Sequence, residues 1–161
     1  MKTLVAYYSA EGHTKKVAEE IAQNLGADIY EITPEKLYAV EDLDWQNPDS
    51  RVSRENDSPA LREMKILNTD IDGWAEYERV ILCYPIWWGI AAWPTNAFVK
   101  AEDWKGKTVL PVCTSHTSEL GDSDLLLKDD ANGGDWQEGV RFSQEALATK
   151  IKSWTDQLTL K

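Results

Sequence analysis

The sequence predicts an α/β fold, a parallel sheet of five strands alternating with helices. Three observations predict it. Leu4-Val5-Ala6-Tyr7-Tyr8, Arg79 to Tyr84 and Thr108 to Cys113 are continuous apolar runs, the pattern of parallel strands covered on both faces. Apolar residues at helical spacing occupy segments outside these runs. The chain of 161 residues, 42% hydrophobic, is long enough to bury about 70% of its unfolded surface, so one domain spanning residues 1–161 needs no staples.

The first strand, Leu4 to Tyr8, leads into the polar turn Ser9-Ala10-Glu11-Gly12-His13-Thr14. A helix follows in which Val17, Ala18, Ile21, Ala22 and Leu25 recur at helical spacing, and Gly26 stops it. Ile29 to Ile32 is a second short strand, and a strand–turn–helix–strand unit implies parallel pairing with a right-handed crossover. Residues 33–72 then break the alternation. The segment is charged and holds Pro34, Pro48 and Pro59, and its length marks a functional or partly helical insertion rather than a linker. Arg79 to Tyr84 is a strong buried strand. Pro94 opens a helix at its first turn, with Phe98 on the inner face. Pro111, inside the strand Thr108 to Cys113, cannot donate to a ladder, which predicts a bulge or a missing neighbour. A weak last strand is expected around Trp136 to Phe142. Ser143 is expected to cap a final helix with Leu147, Ile151, Trp154 and Leu158 on one face.

In open α/β sheets ligands sit beyond the carboxyl ends of the strands. The candidate loops are therefore those after Tyr8, Tyr84 and Cys113. Ser9 to Thr14 opens a helix, where backbone N–H groups and the helix dipole attract an anion, and Ser9 and Thr14 add hydroxyls. This suits a phosphate, although neither the Walker pattern nor the three-glycine dinucleotide fingerprint is present. A capped turn with no ligand is the competing reading. In Pro85-Ile86-Trp87-Trp88-Gly89 one tryptophan can face the core and the other a flat ligand, with Gly89 letting the backbone approach. Alternatively both rings pack on the helix that Pro94 opens. Thr114-Ser115-His116-Thr117-Ser118-Glu119-Leu120-Gly121 is dense in hydroxyls, and otherwise reads as an ordinary polar turn.

Taken together, these loops resemble the flavodoxin family. Tyr7-Tyr8-Ser9-Ala10-Glu11-Gly12-His13-Thr14 is similar to the flavodoxin phosphate loop, usually Ser/Thr-x-Thr-Gly-x-Thr. Tyr84-Pro85-Ile86-Trp87-Trp88-Gly89 is similar to the first flavin loop of a bacterial branch, and Thr114 to Gly121 falls where that branch has its second. Leu43-Asp44-Trp45, Ser50-Arg51, Arg54-Glu55 and Gly139-Val140-Arg141-Phe142 extend the resemblance over essentially the whole chain. It implies a doubly wound three-layer sandwich of strand order 2-1-3-4-5 that binds FMN without a covalent bond. The implied phosphate residues are Ser9, Gly12, His13 and Thr14, with Ala10 and Glu11 in the same loop. Pro85, Ile86, Trp87, Trp88 and Gly89 would line the flavin ring. Thr114, Ser115, His116 and the residues up to Gly121 would close the other side, and Arg51 would approach from the insertion. No catalytic residue and no metal ligand is assigned.

Two substitutions bear on the phosphate loop. Glu11 replaces the usual threonine and repels a phosphate unless it turns away or is protonated. His13 replaces a common asparagine and, as imidazolium, would offset Glu11. His116 and Glu119 stand where the branch has glycines, so the loop follows another path or holds the flavin less well. A His/Glu set on this rim could ligate a divalent metal, but no helical pair of histidines supports that.

Composition limits the partners. Lys and Arg total 17 against 28 Asp and Glu, a net charge of −11, which excludes nucleic acid and anionic membranes and suits a basic protein partner. Two cysteines do not make a disulfide framework. The chain is uncharged from Val80 up to Lys100 but broken by Pro85, Gly89 and Pro94, so this is no membrane span. The short apolar start, ended by Glu11, is not expected to be a signal peptide, and the cytoplasm is the expected location. The expected role is electron transfer between redox partners. The alternatives are an FMN-dependent NAD(P)H oxidoreductase of quinones or similar small acceptors, and a flavin-free binding module on the same fold.

Overall fold

The computed structural model describes residues 1–159. Strand β1 (Thr3–Tyr7) leads to helix α1 (His13–Leu25) and strand β2 (Asp28–Glu31). α1 ends as predicted at Gly26, which adopts the left-handed conformation (φ 60°). The insertion begins and closes as a small antiparallel ribbon, β3 (Thr33–Pro34) with β4 (Ile66–Leu67). Between them lie helix α2 (Arg51–Asp57) and two short 3-10 helices, Glu41–Leu43 and Pro59–Arg62. The insertion is thus partly helical, and the Ser50 side chain caps α2 by accepting from Ser53 N–H.

After a third 3-10 turn, Trp74–Glu76, come β5 (Arg79–Trp87), β6 (Ile90–Ala91), α3 (Trp93–Ala101) and β7 (Thr108–Ser115). The chain finishes with α4 (Ser123–Asp130), β8 (Asp135–Trp136), β9 (Val140–Ser143) and α5 (Ala148–Thr159). The main sheet runs β2-β1-β5-β7-β8, all parallel, and β9 also pairs with β7. This is the order 2-1-3-4-5 with the fifth position shared by β8 and β9.

Pro111 explains that division. Leu82 faces Pro111 across the β5 side, but β8 pairs with Thr108 and Val109, and β9 only from Val112 onward. Thr108 N–H donates to Glu78 O on the β5 side, and Val109 O accepts from Gln137 N–H on the other. Two residues on, the Pro111 nitrogen therefore faces the gap, where a missing donor does no harm. In that gap Gly139 N–H donates to the Asp124 carboxylate instead of to a strand.

The sheet buries both faces. Val5, Tyr7, Ile81, Cys83 and Val112 pack under α1 and α5, while Leu4, Ala6, Tyr8, Leu82, Tyr84 and Cys113 pack under α3, α4 and the insertion. Alternate residues of each strand serve opposite layers, so the runs must be apolar throughout. Cys83 and Cys113 are free thiols on opposite faces. Burial raises both, Cys113 up to about 12, so they act as small apolar side chains. Trp74, Trp104, Phe98 and Tyr30 form a contiguous aromatic cluster around α3.

Two expectations at the carboxyl end are corrected. Ser143 does not cap the last helix: it ends β9, and its Oγ accepts from Glu145 N–H. Leu147 precedes α5 and is 66% exposed, so only Ile151, Trp154 and Leu158 face inward. α4 escaped sequence reading because its Leu125 and Leu126 are exposed and only Leu127 enters the core.

Candidate functional site

The parallel register brings the ends of β1, β5 and β7 together: Tyr7 lies beside Cys83, and Pro85 beside Thr114. The three loops that leave these ends enclose a cavity of about 450 Å³. That lies in the range of about 300–1,000 Å³ usual for small-molecule sites.

Ser9, Ala10, Glu11, His13 and Thr14 form one side of the cavity. Ser9 Oγ accepts from Gly12 N–H at 3.0 Å, folding the loop back on itself. Gly12 occupies the N-cap position of α1 with φ 98°, and no side chain caps the helix there. First-turn N–H donors at the positive end of the helix dipole are thus without a side-chain cap. Thr14 and Thr114, both buried, hydrogen-bond through their hydroxyls at 2.7 Å and fasten the start of α1 to the end of β7. Glu11 and His13 approach to 3.9 Å and are both substantially exposed, a pairing that water weakens.

The second wall is a hairpin rather than a loop. β5 continues through Trp87, and β6 returns with Ile86 opposite Ala91 and Trp87 opposite Ile90. Trp88 and Gly89 make the two-residue turn, at φ 48° and 79°. Positive φ at both positions is the type I′ arrangement, which favours asparagine followed by glycine. Trp88 therefore holds a backbone conformation that costs a bulky residue about 1–3 kcal/mol. Its ring is 44% exposed and stacks on buried Trp93, centroids 6.1 Å apart. Trp87 turns inward, edge-on to Tyr8, Tyr38 and Trp93 at 5.2–5.8 Å. Pro85, Ile86, Trp87 and Trp88 all line the cavity.

Thr114, Ser115, His116, Thr117 and Ser118 form the third side. Among the described residues only Asn68 and Trp88 are non-glycines with positive φ, so His116 and Glu119 sit on a path that suits ordinary side chains. Arg141, on β9, braces this loop from behind. Its Nε donates to Ser115 Oγ and Ser118 O at 2.7 Å, and its Nη2 donates to the Ser115 and His116 carbonyls at 3.3 and 3.1 Å. Ser115 Oγ also donates to Ser118 O.

Gly12, Gly89 and Gly121 do not line the cavity; they shape the turns around it. A Cβ on Gly121 would lie 3.3 Å from Gly89 O, a tight contact, and Gly121 has φ 57°, so glycine suits the close approach of the third loop to the hairpin turn. The insertion contributes Leu43, Trp45 and Val52, and Gln144 follows β9. Their role is not readable from the local pattern, although Leu43 and Trp45 are conspicuous apolar residues in a charged stretch. Arg51 does not reach the cavity, contrary to expectation. Its Nη1 donates to the Lys36 and Leu37 carbonyls, its Nε pairs with Glu55, and its guanidinium lies 3.6 Å from the centre of the Tyr38 ring. With Arg54 and Glu55 it lines a second cavity of about 350 Å³. Among the described residues no group of three or more His, Cys, Asp or Glu is placed to hold a metal ion.

Comparison with known proteins agrees with this architecture. A family model described as Flavodoxin matches residues 2–158. No curated protein matches the chain. A candidate flavoprotein from Bacteroides eggerthii DSM 20697 is 36% identical, with 99% of each chain covered and a TM-score of 0.86. One from Bacteroides uniformis ATCC 8492 is 34% identical over 96% of this chain and 97% of that one, with a TM-score of 0.87. A flavoprotein from Lactobacillus acidophilus NCFM, solved in complex with FMN, shares the fold at 21% identity, covering 96% of this chain and 98% of that one, with a TM-score of 0.65. With a parallel sheet of matching order and a family match over nearly its whole length, the chain belongs to the flavodoxin family.

Proposed function

We propose that the chain binds FMN in the cavity at the ends of β1, β5 and β7 and serves in electron transfer between redox partners. The observation that carries this reading is the pairing, in one cavity, of an uncapped helix N-terminus with a wall of tryptophan rings. The first suits a phosphate and the second a flat aromatic ring system.

In this reading Ser9, His13, Thr14 and the backbone at Gly12 hold the phosphate. Among the described residues no Lys or Arg lines the cavity, so in this reading hydroxyls and backbone N–H groups carry the recognition. Pro85, Ile86, Trp87 and Trp88 form the wall for the ring, and Thr114, Ser115 and His116 close the opposite side. Leu43, Trp45 and Val52 exclude water from the insertion side. Bound FMN supplies an acceptor and donor of one or two electrons; the protein supplies orientation and electrostatics. Glu11 and the −11 net charge disfavour further negative charge in the site and so hold the reduction potential down. The same charge would steer a basic redox protein and make its association salt-sensitive.

Titration of the full chain with FMN tests the reading. A saturable change in the flavin spectrum with quenching of tryptophan fluorescence is expected. At a free FMN concentration 100 times Kd, stability should rise by about 2.7 kcal/mol. The absence of any spectral change overturns the reading. Rapid NAD(P)H oxidation by the loaded protein alone would assign a reductase role in place of a carrier.

A further inference from the structure

The insertion buries a carboxylate that the proposed flavin site does not use. Glu55, on α2, is 6% exposed. Its Oε1 accepts from the Tyr38 hydroxyl at 2.5 Å and from Trp93 Nε1 at 3.2 Å, and its Oε2 accepts from Arg51 Nε at 3.3 Å. The Tyr38 ring meets Trp87 edge-on, centroids 5.3 Å apart, and Trp87 is part of the main cavity wall. Glu55 in turn lines the second cavity. Trp87, Tyr38 and Glu55 therefore form a contiguous path between the two cavities, aromatic at one end and acidic at the other.

We propose that Tyr38 and Glu55 form a proton-coupled electron-transfer site that draws oxidising equivalents out of the main cavity wall. Trp87 loses one electron to a one-electron oxidant beside it, such as a photoexcited flavin or a metal complex, and becomes an indole radical cation. Tyr38 passes one electron to Trp87 as its O–H bond breaks, and the proton crosses the existing hydrogen bond to Glu55 Oε1. The products are neutral Trp87, a neutral tyrosyl radical, protonated Glu55 and an oxidant reduced by one electron. Glu55 then releases its proton into the second cavity, where Glu35 and Glu63 offer further carboxylates.

The surroundings require the proton to move with the electron. The Arg51 guanidinium lies 3.6 Å from the centre of the Tyr38 ring, so a phenol radical cation there would face a like charge in a buried setting. Burial and the Glu55 hydrogen bond raise the Tyr38 phenol well above its ordinary range, so it does not ionise in advance. Two other tyrosines each have half of the arrangement. Tyr8 lies 5.8 Å from Trp87 but donates to no carboxylate among the described residues. Tyr77 donates to Asp28 Oδ2 at 2.6 Å, but its neighbour is Lys2 rather than the ring chain to the cavity.

The test uses the full chain without cofactor and flash-generated ruthenium(III) tris-bipyridine as oxidant, read by freeze-quench electron paramagnetic resonance. The expected result is a neutral tyrosyl radical that is lost in Tyr38→Phe, retained in Tyr77→Phe and formed more slowly in D2O than in H2O. Glu55→Gln, which keeps the shape but takes up no proton, should lose most of the signal. A tyrosyl signal that survives Tyr38→Phe, a tryptophanyl radical alone in the wild type, or equal rates in the two solvents overturns the proposal. Blue light on the FMN-loaded chain should give the same radical. If FMN titration gives no spectral change while the ruthenium signal stands, the flavin reading fails and the relay survives.

Discussion

The hydroxyl pair beneath the cavity allows a double-mutant cycle with an unusual sign. Thr14 and Thr114 are almost fully buried and hydrogen-bond to each other at 2.7 Å. Thr14→Val removes one partner and leaves the Thr114 hydroxyl buried without it. The lost bond is worth about 1 kcal/mol, and the stranded group adds about 1–3 kcal/mol. A fall of about 2 kcal/mol is therefore expected, which lowers Tm by roughly 4–8 °C for a chain of this length. Thr114→Val should do the same. The double variant replaces both hydroxyls with methyl groups and strands nothing, so it should be less destabilised than either single variant. The interaction energy is then about 2–4 kcal/mol and opposite in sign to the single effects. Urea denaturation of the four proteins, with equal m-values, measures it. Additive single effects would refute the buried, mutually satisfied pair on which the alignment of α1 and β7 rests.

Other perturbations probe the same framework. Trp88→Asn places the favoured Asn-Gly pair in the type I′ turn and should stabilise the chain by about 1 kcal/mol. It should also weaken FMN binding; the opposite directions, seen by denaturation and titration, mark a strained residue retained for the ligand. Arg141→Lys keeps the charge but loses the planar fork, and should weaken FMN binding about tenfold while leaving the sheet intact by circular dichroism. Glu102 is buried, its Oε1 lacks a hydrogen-bond partner, and burial first, then Asp70, raises it from 4.5 to about 7. The folded state therefore binds its proton more tightly than the unfolded chain. Stability is fully present below about pH 4.5, is lost progressively up to about pH 7, and is level above that. Glu102→Gln should be near neutral at pH 4 and stabilising by roughly 2 kcal/mol at pH 8, and an equal effect at both pH values in denaturant melts would refute the assignment.

What the sequence made legible follows from the range of the interactions involved. β1, β5 and β7 are buried on both faces, so their residues must be apolar regardless of neighbours, and local reading finds them. Gly26 and Pro94 act through their own backbone restrictions and are equally local. The fifth strand is different: its division depends on Pro111, on a neighbouring strand, together with the Asp124 bond to Gly139. The site divides in the same way. The residues that leave the strand ends could be placed from strand order alone. Arg141 acts through carbonyls of residues 115, 116 and 118, and no side-chain pattern announces such contacts. Arg51 is expected at the ligand only because the family resemblance implies it. It is instead held by Glu55, two carbonyls and the Tyr38 ring.

That correction also explains why the insertion can be charged and still build an aromatic wall. α2 places Val52 on the main cavity, while Arg51, Arg54 and Glu55 line the second. The buried Glu55 carboxylate then organises rings from separate elements: it accepts from Tyr38 and Trp93, whose edges meet Trp87. A buried carboxylate left without partners would be expensive, so these donors and the ring orientations they fix are held together. Arg62, stacked 4.5 Å from the centre of the Trp93 ring, donates to the Glu55 and Asn56 carbonyls and closes the assembly from the other side. Charge in this segment is therefore structural: two arginines and one glutamate fix the tryptophans that the flavin reading requires. Truncating Glu55 to alanine, which removes the acceptor these donors share, should disturb the cavity wall even though the carboxylate never faces the main cavity.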